Sequence, residues 1–191
     1  MKKIPAILLL LSSSIAGVSI SSLGAVAAPA EVTFTSSYTG FNNCRPALTP
    51  AEVKEAEAHG SDIPQRCKGV GNYYVYEDYS AVSRYKYIKS AGNRFAVALT
   101  PKEECAYQTY GDKVEWRLAG GKPFAVIIRV RCYGNQPDRD SNYDVSQNLK
   151  AEYIIIRGLK GFPTGEDIDL KKTENANQLA RDIADKLYKK P

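Results

Sequence analysis

The sequence predicts an α+β domain: a mainly antiparallel β-sheet packed by a C-terminal amphipathic helix, with two disulfides. Three observations carry that prediction. Short runs that alternate apolar with polar residues recur between Val32 and Leu159, the period of a half-buried strand. Ala176, Leu179, Ala180, Ile183, Ala184, Leu187 and Tyr188 then recur at three-and-four spacing, the period of a helix with one apolar stripe. Finally, Cys44, Cys67, Cys105 and Cys132 follow an export-type N-terminus, so they read as disulfide partners rather than metal ligands.

That N-terminus begins Met1-Lys2-Lys3, continues as an apolar and small-residue run from Ile4, and reaches Ala25-Val26-Ala27, an A-x-A cleavage site. Residues 1–27 are therefore read as a signal peptide and 28–191 as a single exported α+β domain, periplasmic or secreted. Cutting the 191-residue chain after Ala27 leaves 164 residues, enough for one core. Ala28-Pro29-Ala30 offers a second, poorer site. Ser12, Ser13, Ser14, Ser19, Ser21 and Ser22 leave the strongly apolar stretch too short to span a bilayer, so no stable membrane span is expected after cleavage. Without Lys2 and Lys3, 24 of the 26 basic residues remain against 21 acidic ones, a net charge of about +3. The charge is mixed along the chain, and no nucleic-acid partner is expected from it. Thirteen Tyr against one Trp favour sheet surface or a recognition face.

The elements follow in order. Val32–Tyr38 alternates and predicts a first strand. Thr49, Pro50 and Glu52 spell N-cap, first helical position and capping box, predicting a surface helix that runs to about His59 and stops at Gly60. Gly69-Val70-Gly71 precedes a strand rather than a helix, so it reads as a turn beside a disulfide and not as a phosphate cradle. Tyr73–Tyr79, Val82–Ile88 and Phe95–Leu99 predict three strands. Val114–Leu118 and Phe124–Tyr133 predict a hairpin. A three-residue loop, Ala119 to Gly121, pairs Trp116 with Phe124, and this register keeps the apolar residues together where a Gly-Gly loop mixes the faces. Val114, Trp116, Leu118, Phe124, Val126, Ile128 and Val130 then face the core, while Glu115, Arg117, Arg129 and Arg131 share the other face with Ala125 and Ile127. Ala151–Leu159 is a further strand. Thr173 is placed to cap the last helix, and Asp182–Lys186 and Asp185–Lys189 sit four apart in the favourable order.

The four cysteines allow three pairings; the sequence-local pairs, Cys44–Cys67 and Cys105–Cys132, are the expected ones. No C-x-x-C is present, and His59 is the sole histidine, in a charged helix. A Ser or Cys nucleophile thus lacks a plausible base, and no catalytic residues are assigned. Glu103-Glu104 and Glu166-Asp167 lie in polar, loop-like sequence, where solvated charge is the default reading. Asp138, Asp140, Asn142 and Asp144 offer oxygen ligands at every second position, as a calcium loop does. Tyr143 and Leu149 stand where that loop requires Gly and Glu. Glu115, Arg117, Arg129 and Arg131 form either a solvated sheet face or a platform for an anionic ligand.

Three blocks resemble a family of uncharacterised exported bacterial proteins. They are Cys67-Lys68-Gly69-Val70-Gly71-Asn72-Tyr73-Tyr74-Val75, then Val114-Glu115-Trp116-Arg117-Leu118 with Lys122-Pro123-Phe124-Ala125, then Asn175 to Asp185. The chain departs from the family's pattern in one respect. It lacks a Cys-His pair between Gly161 and Leu170 and a closing Cys after the helix, and carries Cys105 and Cys132 instead. The resemblance implies export and a compact sheet-plus-helix domain, and it implies no activity. The sequence thus points to a non-catalytic binding or inhibitor module of the cell envelope or extracellular space, without a cofactor, whose partner is an unknown envelope or extracellular ligand. The alternative is a small secreted hydrolase using carboxylates or calcium.

Overall fold

The computed structural model describes residues 32–80, 83–92, 95–134 and 148–189. The predicted calcium positions Asp138, Asp140, Asn142 and Asp144 lie outside the described residues. Strands β1 (Phe34–Gly40) and β2 (Cys44–Pro46) lead to helix α1 (Pro50–Ala58). Then come β3 (Gln65–Lys68), β4 (Tyr73–Ser80), β5 (Ser83–Ser90), β6 (Ala96–Ala98) and the long pair β7 (Tyr107–Ala119) and β8 (Lys122–Tyr133). β9 (Leu149–Gly158), β10 (Ile168–Asp169) and helix α2 (Ala176–Tyr188) complete the order. The fold is α+β, as the sequence predicts, but the strands divide into two antiparallel sheets. One runs β1-β7-β8-β9-β10 and the other β2-β3-β4-β5-β6.

The first sheet is buried on both faces. Val114, Trp116, Val126, Ile128, Val130 and Ile155 point toward the second sheet and meet Val75, Ile88, Val97 and Leu99. Ala125, Ile127, Ile154 and Ile156 point the other way, onto Ala176, Ala180 and Ala184 of α2. Three alanines at four-residue spacing leave that stripe of the helix nearly flat, so its backbone can approach the sheet closely. Two buried faces explain why β8 reads as an almost unbroken apolar run from Phe124 to Ile128.

The expected hairpin register is corrected. Gly120 and Gly121 both have positive φ, 55° and 79°, and form a two-residue turn closed by Ala119 opposite Lys122. The face-mixing that argued against this turn is removed by a bulge. Leu118 pairs with Pro123 and Arg117 with Ala125, so Phe124 is an extra residue, and Trp116 pairs with Val126. Phe124 consequently leaves the Trp116 side and packs with the helix, 4.9 Å centroid to centroid from Tyr188. Its carbonyl accepts from the backbone N–H of Leu159 at 2.8 Å.

Both disulfides pair as expected, Cys44 with Cys67 and Cys105 with Cys132. Helix α1 begins with the predicted capping box between Thr49 and Glu52, buries none of its residues, and gives way to Gly60 at φ 62°. It is a surface excursion between the two cysteines, closed at its base where Ala47 N–H donates to the Pro64 carbonyl at 2.8 Å. Helix α2 differs from expectation at its start. Its N-cap is Asn175, in the left-handed region at φ 52° and without a side-chain cap, rather than Thr173.

Gly69 is required by a close approach. A Cβ there would lie 2.5 Å from Cζ2 of Trp116 and 2.7 Å from the Tyr73 carbonyl oxygen. Trp116 is fully buried and its indole N–H donates to Oγ1 of Thr39 at 2.8 Å, so the ring cannot shift without losing that bond. Gly69→Ala is expected to destabilise by about 1–3 kcal/mol through overpacking. Gly134→Ala, with open space around its Cβ position, should change stability by less than about 0.5 kcal/mol. Urea unfolding followed by Trp116 fluorescence measures both; equal effects would remove the packing argument.

Candidate functional site

The four charged residues predicted to share one face are divided between two jobs. Glu115 and Arg117 are buried under α2. Arg117 donates to Asp185 through Nε and NH2, at 3.0 and 2.6 Å, and through NH1 to Oγ of Ser36 at 2.6 Å. Glu115 accepts from Nε of Arg181 at 2.7 Å and from Oγ of Ser36. Arg181 in turn donates to the Tyr38 hydroxyl at 3.2 Å. The expected helix-surface partner of Asp185, Lys189, is replaced by a sheet arginine, and Asp182 accepts from Gln178. Burial alone would raise the Glu115 carboxyl, but hydrogen bonds from Arg181 and Ser36 hold it below its ordinary value. The same pairing raises Arg181. These groups fasten the helix to the sheet.

Arg129 and Arg131 lie farther along β8, each about half exposed, with Glu152 between them. Nε of Arg131 is 3.2 Å from that carboxylate and NH1 of Arg129 is 3.8 Å away. One member of each carboxylate pair singled out in the sequence has structural partners. Asp167 accepts from the buried Arg157 at 2.5 Å, and Glu103 meets Lys150 and the Tyr153 hydroxyl. That last hydrogen bond pushes the Tyr153 phenol up to about 12. Between the sheets, Nζ of Lys86 sits 2.6 Å from Glu77 and 4.2 Å from the Phe41 ring centroid. Burial there pushes Tyr110 to about 12, and its hydroxyl oxygen accepts from Lys86 N–H and Gln108. Among the described residues no three His, Cys, Asp or Glu side chains converge as a metal site.

A different surface gathers unneutralised charge. In the second sheet Cys67, Val75 and Ile88 point inward, so alternation turns Arg66, Lys68, Tyr74, Tyr76, Tyr87 and Lys89 outward. Cross-strand register arranges them in rows. Arg45, Arg66, Tyr76, Tyr87 and Ala98 form one; Lys68, Tyr74, Lys89 and Ala96 form the next. Arg45 lies directly opposite Arg66, a like-charge pair that disfavours strand pairing. One residue away, the Cys44–Cys67 disulfide holds the two strands in that register. Among the described residues, Arg45, Arg66, Lys68 and Lys89 have no carboxylate within ion-pair distance. Arg45, Arg66, Lys68 and Tyr74, with Asn42 and Asn43, line a cleft of about 690 Å³.

The tyrosines on this face are held in place by one another and by the cations. Tyr76 and Tyr87 stack at 5.2 Å with planes 6° apart. The Arg66 guanidinium lies 5.0 Å from the Tyr74 centroid, and Nζ of Lys89 lies 6.0 Å from that of Tyr76. Burial raises the Tyr87 phenol, helped by Asp78 and Tyr76. Sequence reasoning missed this face because β2 and β3 are only three and four residues long. The available signal was parity: once Cys67 and Val75 are placed inward, Arg66, Lys68, Tyr74 and Tyr76 must face out.

Comparison with models of protein families, with curated proteins and with solved structures gives no match for this chain.

Two outcomes follow for the helix clamp. Because the folded Glu115 carboxyl lies below its ordinary value of 4.5, its contribution is fully present above about pH 4.5 and is lost as the pH falls through the folded value. Thermal melts from pH 6 to pH 3 should therefore show a steeper acid decline for the wild type than for Glu115→Gln. Removing Asp185 strands the buried Arg117 charge, so Asp185→Ala should cost about 3 kcal/mol by urea unfolding, and Arg117→Leu combined with Asp185→Leu should cost less than that single change.

Proposed function

We propose that this protein is exported and works outside the inner membrane as a non-catalytic binding module of the cell envelope or extracellular space. Its recognition surface is the outer face of the second sheet. The observation that carries the reading is the Arg45–Arg66 pair: two exposed arginines directly opposite each other on paired strands, neither ion-paired to a carboxylate among the described residues, both lining one cleft. Stability alone would select an opposite charge at one of those positions. An acidic ligand supplies the missing counter-charge, and the planar fork of each guanidinium suits carboxylate, sulfate or phosphate oxygens. Export is supported by the leader-like N-terminus and by the two disulfides, which persist in oxidising compartments. No helix among the described residues is long and apolar enough to cross a membrane.

The test is retention on a sulfated-agarose column with a salt gradient. Arg45→Glu combined with Arg66→Glu should elute at much lower salt than the wild type. Arg129→Glu combined with Arg131→Glu, on the other sheet, should elute close to it. The reverse order would move the recognition surface to the end of β8.

A further inference from the structure

We propose that the ligand of this face is a linear acidic polysaccharide lying across the strands; the inference rests on the binding reading above and names its ligand class. The first argument is the spread of charge. Arg45 is on β2, Arg66 and Lys68 on β3, and Lys89 on β5, opposite Tyr74. Strands lie about 4.8 Å apart, so the Cα row from β2 to β5 covers roughly 14 Å. A single carboxylate or phosphate bridges two neighbouring cations and leaves the others on this face unmatched. A chain with repeated anions can match them.

The second argument is the state of the aromatic rings. Sequence-tolerant nucleic-acid binders offer open ring faces on which bases stack. Here Tyr76 and Tyr87 each cover one face of the other, and the Arg66 guanidinium lies over one face of Tyr74. Each of these rings also carries a hydroxyl. Neutral phenols donate to and accept from hydroxyl groups, so a polymer rich in hydroxyls as well as anions matches the surface better than one of bases. A bilayer surface fits less well again. The two rows hold Arg, Lys, Tyr and Ala, with no large aliphatic side chain to enter the acyl boundary.

Isothermal titration of the protein at low salt decides the matter, with galacturonic acid, a length series of oligogalacturonates, oligothymidylate and phosphatidylglycerol vesicles as probes. Affinity should climb at least about 100-fold from the monomer to an oligomer that crosses the strands, then level off. Lys89→Glu should weaken the long oligomer about tenfold and leave the monomer unchanged. Tyr76→Phe combined with Tyr87→Phe keeps the stack but removes the hydroxyls, and should weaken the oligomer about two- to tenfold. Monomer binding as tight as that of the oligomer would overturn the inference while leaving the binding face intact. So would preference for oligothymidylate of equal charge, or binding to vesicles alone. Failure of every anion to bind would overturn the binding face itself.

Discussion

Burial of one sheet on both of its faces is the constraint on which the other layers depend. Strand β8 lies at the centre of the first sheet and supplies Val126, Ile128 and Val130 to one core and Ala125 and Ile127 to the other. Neither face can turn to water, so one must be covered by the second sheet and the other by α2. The bulge at Phe124 decides which aromatic joins which core. It sends Phe124 to the helix, where it meets Phe34, Phe162 and Tyr188, and leaves Trp116 on the sheet-to-sheet side, where it meets Tyr73. The helix rests on Ala176, Ala180 and Ala184, with Ile183, Leu187 and Tyr188 packed beside them. Glu115 and Arg117 further fix its position, because each accepts a partner at one place along α2.

The three sequence blocks Cys67–Val75, Val114–Ala125 and Asn175–Asp185 meet in space. Gly69 of the first block packs against Trp116 of the second, while Glu115 and Arg117 on either side of Trp116 hold Arg181 and Asp185 of the third. Trp116 faces one core and its two neighbours face the other, as strand alternation demands. Glu115-Trp116-Arg117 is therefore a two-sided joint between the layers. Its residue types are explained by packing and charge pairing within the chain, so the chemistry of recognition has to be sought elsewhere on the molecule.

Much of the architecture was legible. The capping box of α1, the helical stripe of α2 and both disulfide pairings follow from local grammar or short separations, and each stands as expected. The hairpin register was not, because parity arguments assume an unbroken pleat and a single extra residue at Phe124 reverses them. Glu115 and Arg117 were legible as a charged pair on one face, but not as buried. The sequence cannot say which segment will cover a face, and here the cover arrives more than sixty residues later. The basic face of the second sheet depends on β2 and β3, which are too short to show a period.

The like-charge pair on that face can be weighed against the bond that holds it. Two unit charges on directly opposite residues of a water-exposed strand pair repel by about 1 kcal/mol at most, less in physiological salt. The Cys44–Cys67 disulfide closes a separation of 23 residues, and a loop of that size contributes roughly 3 kcal/mol through the unfolded state. The staple outweighs the repulsion, so β2 keeps its register beside β3 without any ligand. On the binding reading proposed above, a pairing fixed before any ligand arrives would avoid the ordering cost of assembling the site. Neutralising the two guanidinium groups would remove the residual repulsion as well. Under that proposal the unfavourable pairing makes physical sense as a feature tolerated in the free protein that an acidic ligand would satisfy.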